Sequence, residues 1–225
     1  MMKNLYIITG TTRGLGEAFF QLLNKNNIII TINRDNIIYN NDNTINICMD
    51  LSNVTSTHLQ NFENILSKKL LRNIKKVVFI NNAFRMGELS RINELQNFDI
   101  ENSIQVNLVS SILLLKSFIT KTMEYNIEKK ILNISSGAAK YPIFGWSIYC
   151  TTKSAMEMFI NAIPLEYPSY TCFNIDPGVM NTQMQVHIRE YKEGKNNEYF
   201  KKLHNNNELK ETTFVANKVI KEYDL

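Results

Sequence analysis

The feature that most constrains the fold is a cluster of glycines directly after a short apolar segment near the amino terminus. Gly10, Gly14 and Gly16 follow the β-branched segment Leu5–Thr9, in a chain of 225 residues with only eight glycines. In a strand–glycine–helix arrangement the backbone turns tightly and approaches a phosphate at the positive end of a helix. The pattern predicts a dinucleotide-binding turn before the helix Leu15–Asn24, although a plain glycine turn has the same signature.

The rest of the chain alternates short apolar segments with longer amphipathic ones. This alternation is typical of a parallel sheet with crossover helices, and continuous apolar segments favour strands buried on both faces. The predicted strands are Leu5–Thr9, Ile28–Ile32, Ile45–Met49, Val77–Ile80, Lys130–Ser135 and Thr171–Ile175. The predicted helices are Leu15–Asn24, Thr55–Leu71, Glu101–Met123, Ser147–Ile163, which Pro164 should end or kink, and Thr213–Glu222. We expect one α/β domain over residues 1–225.

Two connections are unusual. Only Asn33–Thr44 joins the second and third predicted strands, which leaves room for a turn or two of helix at most. The polar segment Gln183–Lys210 contains runs of asparagine and precedes the last helix. A mobile lid over a substrate site and a poorly ordered insertion are equally compatible with that composition.

Composition and spacing argue against several other classes of protein. The net charge of +4 is spread over lysine doublets, from which we expect ordinary solvated faces and no nucleic-acid partner. These doublets are Lys68-Lys69, Lys75-Lys76, Lys129-Lys130 and Lys201-Lys202. Three widely spaced cysteines, Cys48, Cys150 and Cys172, predict neither disulfides nor a metal site. The sequence has no long apolar stretch or signal peptide pattern, so we expect a cytoplasmic protein without a membrane span.

Residues suited to carbonyl chemistry follow the later strands. Three tyrosine–lysine pairs have the spacing that places both side chains on one helix face: Tyr125/Lys129, Tyr149/Lys153 and Tyr191/Lys195. Only Tyr149 also has a serine, Ser136, thirteen residues upstream at the end of a predicted strand. A ketone that accepts a hydride needs a proton donor at its oxygen, and a nearby ammonium should lower the pKa of such a tyrosine. We therefore select Ser136, Tyr149 and Lys153, and expect the other two pairs in exposed helix or lid positions.

Together these motifs resemble the short-chain dehydrogenase/reductase family over almost the whole chain. The spacing G-x-x-x-G-x-G at residues 10–16, Asn81-Asn82-Ala83 and the Ser/Tyr/Lys set match its motifs, but Phe84 replaces a family glycine. Residues 134–139, 144–153 and 177–185 are similar to the branch that holds benzil reductase ((S)-benzoin forming) and sepiapterin reductase. The resemblance implies a Rossmann-type doubly wound sheet in the order 3-2-1-4-5-6. The chain has no residues for the family's seventh strand, so Thr171–Ile175 should form an edge.

The resemblance also implies roles for individual residues. Asn107 matches a fourth catalytic member, which links the lysine to solvent through water, and Ser136 bonds the carbonyl oxygen. The cofactor-binding set is Gly10, Thr12, Arg13, Gly14, Leu15, Gly16, Arg34, Asp50, Leu51, Asn82, Ala83, Tyr149, Lys153, Pro177, Gly178, Val179 and Thr182. Large apolar residues that flank these segments are candidate substrate contacts: Phe144, Trp146, Met180 and Met184.

The end of the second predicted strand favours NADPH over NADH. NAD enzymes of this fold place an acid there to accept a bond from the ribose 2′-hydroxyl, whereas this chain has Asn33 followed by Arg34. The forked guanidinium of Arg34 suits a 2′-phosphate, and Arg13 lies where NADP-preferring family members also have a basic residue. Asp35 alone argues the other way.

These residues predict an NADPH-dependent carbonyl reductase that transfers a hydride to one carbonyl of a vicinal diketone. Sepiapterin reductases anchor the pterin with an acidic residue in a carboxyl-terminal segment that has no counterpart here, which favours a benzil-like diketone over a pterin. A non-catalytic NADP-binding sensor or partner-binding protein is the alternative from another class, although such proteins usually lose the tyrosine or the lysine. The resemblance also implies a homodimer or homotetramer.

Overall fold

A computed structural model describes the protein over residues 3–39, 41–191 and 196–225. Within these residues, six parallel strands form one sheet in the order β3-β2-β1-β4-β5-β6. They are β1 (Lys3–Thr9), β2 (Ile28–Asn33), β3 (Thr44–Cys48), β4 (Ile74–Asn81), β5 (Glu128–Ile134) and β6 (Tyr170–Ile175). The predicted doubly wound sheet and its strand order are confirmed.

Helices cover both faces of this sheet. They are α1 (Gly14–Leu23), α2 (Ser56–Ile65), α3 (Lys68–Leu71), α4 (Asn97–Ile104), α5 (Ser110–Thr122), α6 (Ser147–Glu166), α7 (Gln183–Glu190), α8 (Asn196–Asn205) and α9 (Thr212–Glu222). One apolar core contains the contacting rings of Phe62, Phe79 and Phe118 on the side of α2, α5 and α6. The other contains Phe19 and Val215 on the side of α1 and α9.

The predicted helix Thr55–Leu71 is wrong as a single element, because the structure divides it. α2 ends at Ile65, and α3 begins at Lys68 after the Ser67 hydroxyl accepts a hydrogen bond from the Leu70 N–H. A serine in this position caps a new helix because it satisfies a backbone donor that otherwise lacks a partner. The apolar pattern continues across the break and therefore did not reveal it.

The predicted helix Glu101–Met123 begins earlier, at Asn97, and changes type in its middle. Between α4 and α5 the five residues Gln105–Val109 form a π-helical turn, which accommodates one extra residue and is frequent at functional sites. By length and composition the continuous helix Asn97–Thr122 could cross a membrane, but half of its most apolar window is buried within the protein. Such burial is typical of a core helix that packs on a sheet.

Pro164 was predicted to end or kink the fourth helix, and an end at Ile163 is wrong because α6 continues to Glu166. Proline lacks a backbone N–H and its ring crowds the carbonyl one turn earlier, but this close to the end of the helix few further hydrogen bonds depend on it. The Tyr167 N–H still bonds the Ile163 carbonyl at 2.8 Å. The final turn is therefore retained.

The described residues of the segment Gln183–Lys210 include the helices α7 and α8. Ile188 of α7 and Phe200 of α8 are buried in a third apolar cluster with Trp146. These apolar side chains anchor a segment whose overall composition is polar.

Several lysines that were expected on solvated faces are buried. Lys76 lies 3.1 Å from Asp224 Oδ2, and Lys130 lies 2.9 Å from Glu128 Oε1. The acidic partners offset the desolvation cost of these ammonium groups, because a buried charge is unfavourable unless it is paired. Lys129 lies in β5 and is also buried, so the pair Tyr125/Lys129 is not on a helix, contrary to the prediction.

β6 forms an edge of the sheet, as predicted. The Phe173 ring packs on Tyr223, just after α9, with ring centroids 4.7 Å apart. The Asn174 amide donates to the Glu157 carbonyl and to Asn161 Oδ1 of α6. The two faces of the edge strand are therefore covered within the chain, by α6 and by residues that follow α9.

An asparagine ladder crosses the last three strands at their carboxyl ends. Asn81, Asn133 and Asn174 are paired in register across β4, β5 and β6. Asn81 donates to Asn133 at 3.0 Å, Asn133 donates to Asn174 at 2.8 Å, and Asn174 donates to Asn161 at 2.9 Å. These bonds satisfy amides that would otherwise be buried without partners, and they fix the strand ends from which the candidate site begins.

Candidate active site

A cleft of about 1750 Å³ lies along the carboxyl ends of the strands. Open α/β sheets bind ligands in this position. One end of the cleft is the glycine turn after β1, and the other contains Trp146 and Phe200.

The glycine turn is built for close backbone approach. Gly10 has a φ of +71°, in the left-handed region that favours glycine, and a Cβ on Gly16 would lie 2.0 Å from the Gly10 carbonyl oxygen. Arg13 precedes α1 without a side-chain cap, which leaves the first N–H groups of the helix free to bind an anion. The turn therefore fits the pyrophosphate of a dinucleotide.

Side chains behind the turn hold it in place. Thr9 Oγ1 accepts hydrogen bonds from the Asn82 and Ala83 N–H groups at 3.0 and 2.8 Å. Asn33 is buried, and its Oδ1 accepts from the Thr11 N–H at 2.8 Å. The Asn33 amide thus fixes the turn from behind, and the residue also lines the cleft.

The two arginines predicted to select NADPH line the cleft from different sides. Arg34 lies near Asp50, whose pKa is lowered by a hydrogen bond from the Ser52 N–H and, more weakly, by the arginine charge. Arg13 Nη1 donates to Gln183 Oε1 of α7 at 2.6 Å. Both guanidinium groups are exposed and can reach an anion.

Tyr149, Lys153 and Ser136 lie together at the centre of the cleft. Burial raises the pKa of Tyr149 to about 12, the Ser136 hydroxyl lowers it, and the charges of Asp176 and Cys150 raise it. Desolvation is the largest of these effects, and the expectation that the Lys153 ammonium lowers this pKa stays a prediction. Tyr149 is a protonated phenol at neutral pH.

Lys153 is buried, although it lines the cleft. Its ammonium donates to the Ile134 carbonyl oxygen at 2.6 Å, which ties it to the end of β5. Burial lowers its pKa to about 8, while Glu157 and Asp176 raise it. The Ser136 oxygen accepts from the Ala138 N–H at 3.2 Å, so the serine hydrogen can be donated elsewhere.

Asn107 lies behind the cleft rather than in its wall. Its Oδ1 accepts from the Arg85 N–H and its Nδ2 donates to the Arg85 carbonyl, both at 2.8 Å. Nδ2 also donates to Thr152 Oγ1 at 3.3 Å, and Thr152 precedes Lys153 in α6. Asn107, in the π turn, thus bonds both Arg85, which follows β4, and Thr152 of α6. Its expected link to solvent through water stays a prediction.

The substrate end is aromatic. Trp146, Met180 and Met184 line the cleft as predicted, but Phe144 does not: it is 46% exposed, with Arg91 over its ring at 5.5 Å. Sequence reasoning missed Phe200, which stacks on Trp146 with centroids 5.7 Å apart and planes at 12°. The signal was present in the apolar residues 199, 200 and 203, at helical spacing within the polar segment.

Phe84, noted in the sequence only as a departure from the family pattern, contacts both Tyr149 and Lys153. Its ring lies 4.7 Å from the Tyr149 ring and 4.4 Å from the Lys153 ammonium. This contact could not be inferred from the motif.

Most of the predicted site residues meet in this one cleft. Those in its wall are Gly10, Thr12, Arg13, Gly14, Leu15, Arg34, Asp50, Leu51, Asn82, Ala83, Ser136, Trp146, Tyr149, Lys153, Pro177, Gly178, Val179, Met180, Thr182 and Met184. Gly16, Asn107 and Phe144 do not line it. In the third tyrosine–lysine pair, Tyr191 follows α7 and Lys195 lies outside the described residues.

Comparison with known proteins agrees with this geometry. A sequence model described as short chain dehydrogenase matches residues 4–193. A benzil reductase ((S)-benzoin forming) of Bacillus cereus is 35% identical over 82% of this chain and 78% of its own length. A second such enzyme, of Bacillus subtilis, is 32% identical over 94% of this chain and 90% of its own length.

Two further similarities bear on the substrate and the cofactor of the relatives. The sepiapterin reductase of Meriones unguiculatus is 31% identical over 52% of this chain and 46% of its own length. A short-chain dehydrogenase of Shigella flexneri, solved in complex with NADP, has a TM-score of 0.70 at 17% identity, and the match covers 94% of this chain and 88% of that one. The predicted resemblance to the branch with benzil and sepiapterin reductases is confirmed.

Proposed function

The chain belongs to the short-chain dehydrogenase family, and we propose that it is an NADPH-dependent reductase of vicinal diketones. The observation that carries this proposal is the buried hydroxyl of Tyr149, which lies beside Ser136 and Lys153 in the wall of a cleft that also contains a phosphate-binding turn. The similarity to two benzil reductases supports a benzil-like substrate.

The residues of the site account for the proton chemistry of the reduction. NADPH, when bound, supplies a hydride to the carbonyl carbon. Ser136 donates a hydrogen bond to the carbonyl oxygen, which gains negative charge as the C=O π bond breaks. Tyr149, kept protonated by its burial, gives its proton to that oxygen and completes the alcohol. The nearby Lys153 ammonium stabilises the phenolate that remains.

Different groups of residues in the cleft wall are assigned to different parts of the cofactor. We assign the pyrophosphate to the turn with Gly10, Gly14 and Gly16, and the 2′-phosphate to Arg34 and Arg13. The remaining contacts are assigned as the sequence motifs imply, with Asp50 and Leu51 toward the adenine and Pro177, Gly178, Val179 and Thr182 toward the nicotinamide carboxamide and pyrophosphate. Asn82 and Ala83 border the nicotinamide, and Lys153 holds its ribose. The NADP complex of the Shigella flexneri relative supports the choice of NADP.

The substrate end suits an apolar diketone with large substituents. The stacked rings of Trp146 and Phe200 and the side chain of Met184 offer a wall that can bury an aryl group. We further propose that Gln183–Lys210 acts as a lid in a single domain of residues 1–225, and that the enzyme works in the cytoplasm as a homodimer or homotetramer.

The decisive test is an assay of NADPH oxidation with benzil, an aliphatic diketone and sepiapterin. We expect benzil to be reduced, and Tyr149→Phe to lower turnover by roughly 10²–10⁴-fold with the NADPH dissociation constant unchanged. Tyr125→Phe, which alters another tyrosine of the same spacing, should keep full activity. Full activity in Tyr149→Phe would contradict the assignment of the proton donor.

The relatives that reduce sepiapterin define the second candidate function. A much higher kcat/KM for sepiapterin than for benzil would support a pterin reductase. Tight NADPH binding without turnover of any of the three compounds would instead support a non-catalytic NADP-binding protein.

A further inference from the structure

We propose that Phe84 is a positioning residue, whose ring holds the Lys153 ammonium in its charged form and fixes the Tyr149 ring at the reacting end of the cleft. The proposed function assigns proton transfer to this tyrosine and phenolate stabilisation to this lysine, and the role of Phe84 rests on that assignment.

The geometry brings one aromatic ring against both members of the pair. The Lys153 nitrogen lies 4.4 Å from the centroid of Phe84, within the range of a cation–π contact, but 5.9 Å from the centroid of Tyr149. The Phe84 and Tyr149 rings are tilted by 59° at a centroid distance of 4.7 Å. Phe84 is thus the nearer aromatic partner of the ammonium and also restricts where the tyrosine ring can lie.

The backbone on both sides of Phe84 is fixed. On the amino-terminal side, the Ala83 N–H donates to Thr9 Oγ1 at 2.8 Å. On the carboxyl-terminal side, both backbone polar groups of Arg85 bond the Asn107 amide at 2.8 Å. The position of the Phe84 ring is therefore set by a backbone that is hydrogen-bonded on both sides.

The surroundings of Lys153 explain why a ring face matters there. The Lys153 side chain is buried, and its ammonium donates a hydrogen bond to the Ile134 carbonyl oxygen. The titratable groups that face it are Tyr149 and Glu157 of α6 and Asp176 after β6; the segment after β4 contributes Phe84. The negative face of an aromatic ring stabilises a desolvated cation, so Phe84 offsets part of the burial that favours neutral lysine.

The variants Phe84→Leu and Phe84→Tyr distinguish the effect of the aromatic ring from the effect of side-chain volume. Leucine keeps apolar bulk without a π face, whereas tyrosine keeps the ring. The readout is the pKa of Lys153, followed by NMR of 13Cε-labelled lysine in the full chain, with Lys153→Met to assign the signal. We expect the pKa to fall by about one unit in Phe84→Leu, as a desolvated cation–π contact predicts, and to change by only about 0.3 unit or less in Phe84→Tyr.

An unchanged or raised pKa of Lys153 in Phe84→Leu would overturn the proposal. Phe84→Met provides a second apolar replacement without a ring and decides the question if the leucine variant does not fold. Because the NMR titration needs no substrate, it separates this proposal from the proposed function. Absence of reductase activity in the unaltered protein would refute the function, while the titration would still test the contact between Phe84 and Lys153.

Discussion

Gly16→Ala sets helix propensity against the packing of the glycine turn. Residue 16 lies near the start of α1, where alanine is intrinsically favoured over glycine by up to about 1 kcal/mol. A Cβ there would lie 2.0 Å from the Gly10 carbonyl oxygen and 2.4 Å from Asn82 Nδ2, distances that Cβ atoms essentially never show. The backbone of the turn would have to move, because the obstacle includes main-chain atoms.

The balance of these effects is destabilising. Overpacking costs roughly 1–3 kcal/mol. The displaced Asn82 amide would lose its bonds to the Thr9 and Gly10 carbonyls, each worth roughly 0.5–1.5 kcal/mol. After the gain in propensity, we expect the free energy of unfolding to fall by roughly 1–5 kcal/mol and the melting temperature by roughly 2–20 °C. NADPH affinity should fall at least about tenfold, the equivalent of about 1.4 kcal/mol, because the phosphate-binding turn is displaced.

Gly137→Ala is the matched control. A Cβ on Gly137 would meet Asp176 Oδ2 at 3.5 Å, an ordinary contact, so we expect a change of about 0.5 kcal/mol or less. Chemical denaturation and NADPH titration of both variants measure the difference. A Gly16→Ala protein as stable as the unaltered protein, or more so, would refute the view that close packing requires this glycine.

Three further predictions concern cofactor, substrate and pH. Arg34→Ala should weaken NADPH binding by roughly 10–150-fold in a calorimetric titration and leave NADH nearly unchanged, whereas the exposed Arg72→Ala should alter neither; tighter binding of NADH by the unaltered protein would contradict this. Phe200→Ala should lower kcat/KM for benzil by roughly 10–200-fold but for 2,3-butanedione much less, and equal losses would argue against a specific aryl contact. Burial lowers the pKa of Lys153 to about 8, so between that pH and about 10 the unfolded state binds more protons than the folded state. The free energy of unfolding should therefore rise with pH over this range. Denaturation of Lys153→Met at several pH values should show a smaller rise, and an equal rise in both proteins would contradict this.

The sheet could be predicted because its strands are buried apolar segments between helices of clear periodicity. The breaks within helices could not, because a cap at Ser67 and a π turn at Gln105–Val109 arise from hydrogen bonds rather than from the apolar pattern. At Pro164 the general rule that proline ends a helix was applied, but a proline is tolerated in the last turn of α6.

The candidate site was predicted where a motif has fixed spacing, and missed where tertiary packing decides. The residues around Gly10, Tyr149 and Lys153 meet in one cleft as their motifs indicate. Phe200 and Phe84 reach the same cleft from segments whose spacing encodes no chemistry, so only the folded chain brings them together. The buried lysines at residues 76 and 130 were misjudged because both contact Asp224, which is distant in sequence and reaches them only in the folded chain.

The asparagine ladder destabilises any sheet in which β5 pairs with β4 in a shifted register. A slip of one residue would place Leu132 or Ile134 opposite Asn81 and leave buried amides without partners, at roughly 1–3 kcal/mol for each. The same slip would displace the Ile134 carbonyl that holds Lys153, and Ser136 two residues beyond it. A chain that assembled its sheet in the wrong alignment would therefore lose stability and the arrangement of Ser136 and Lys153 together.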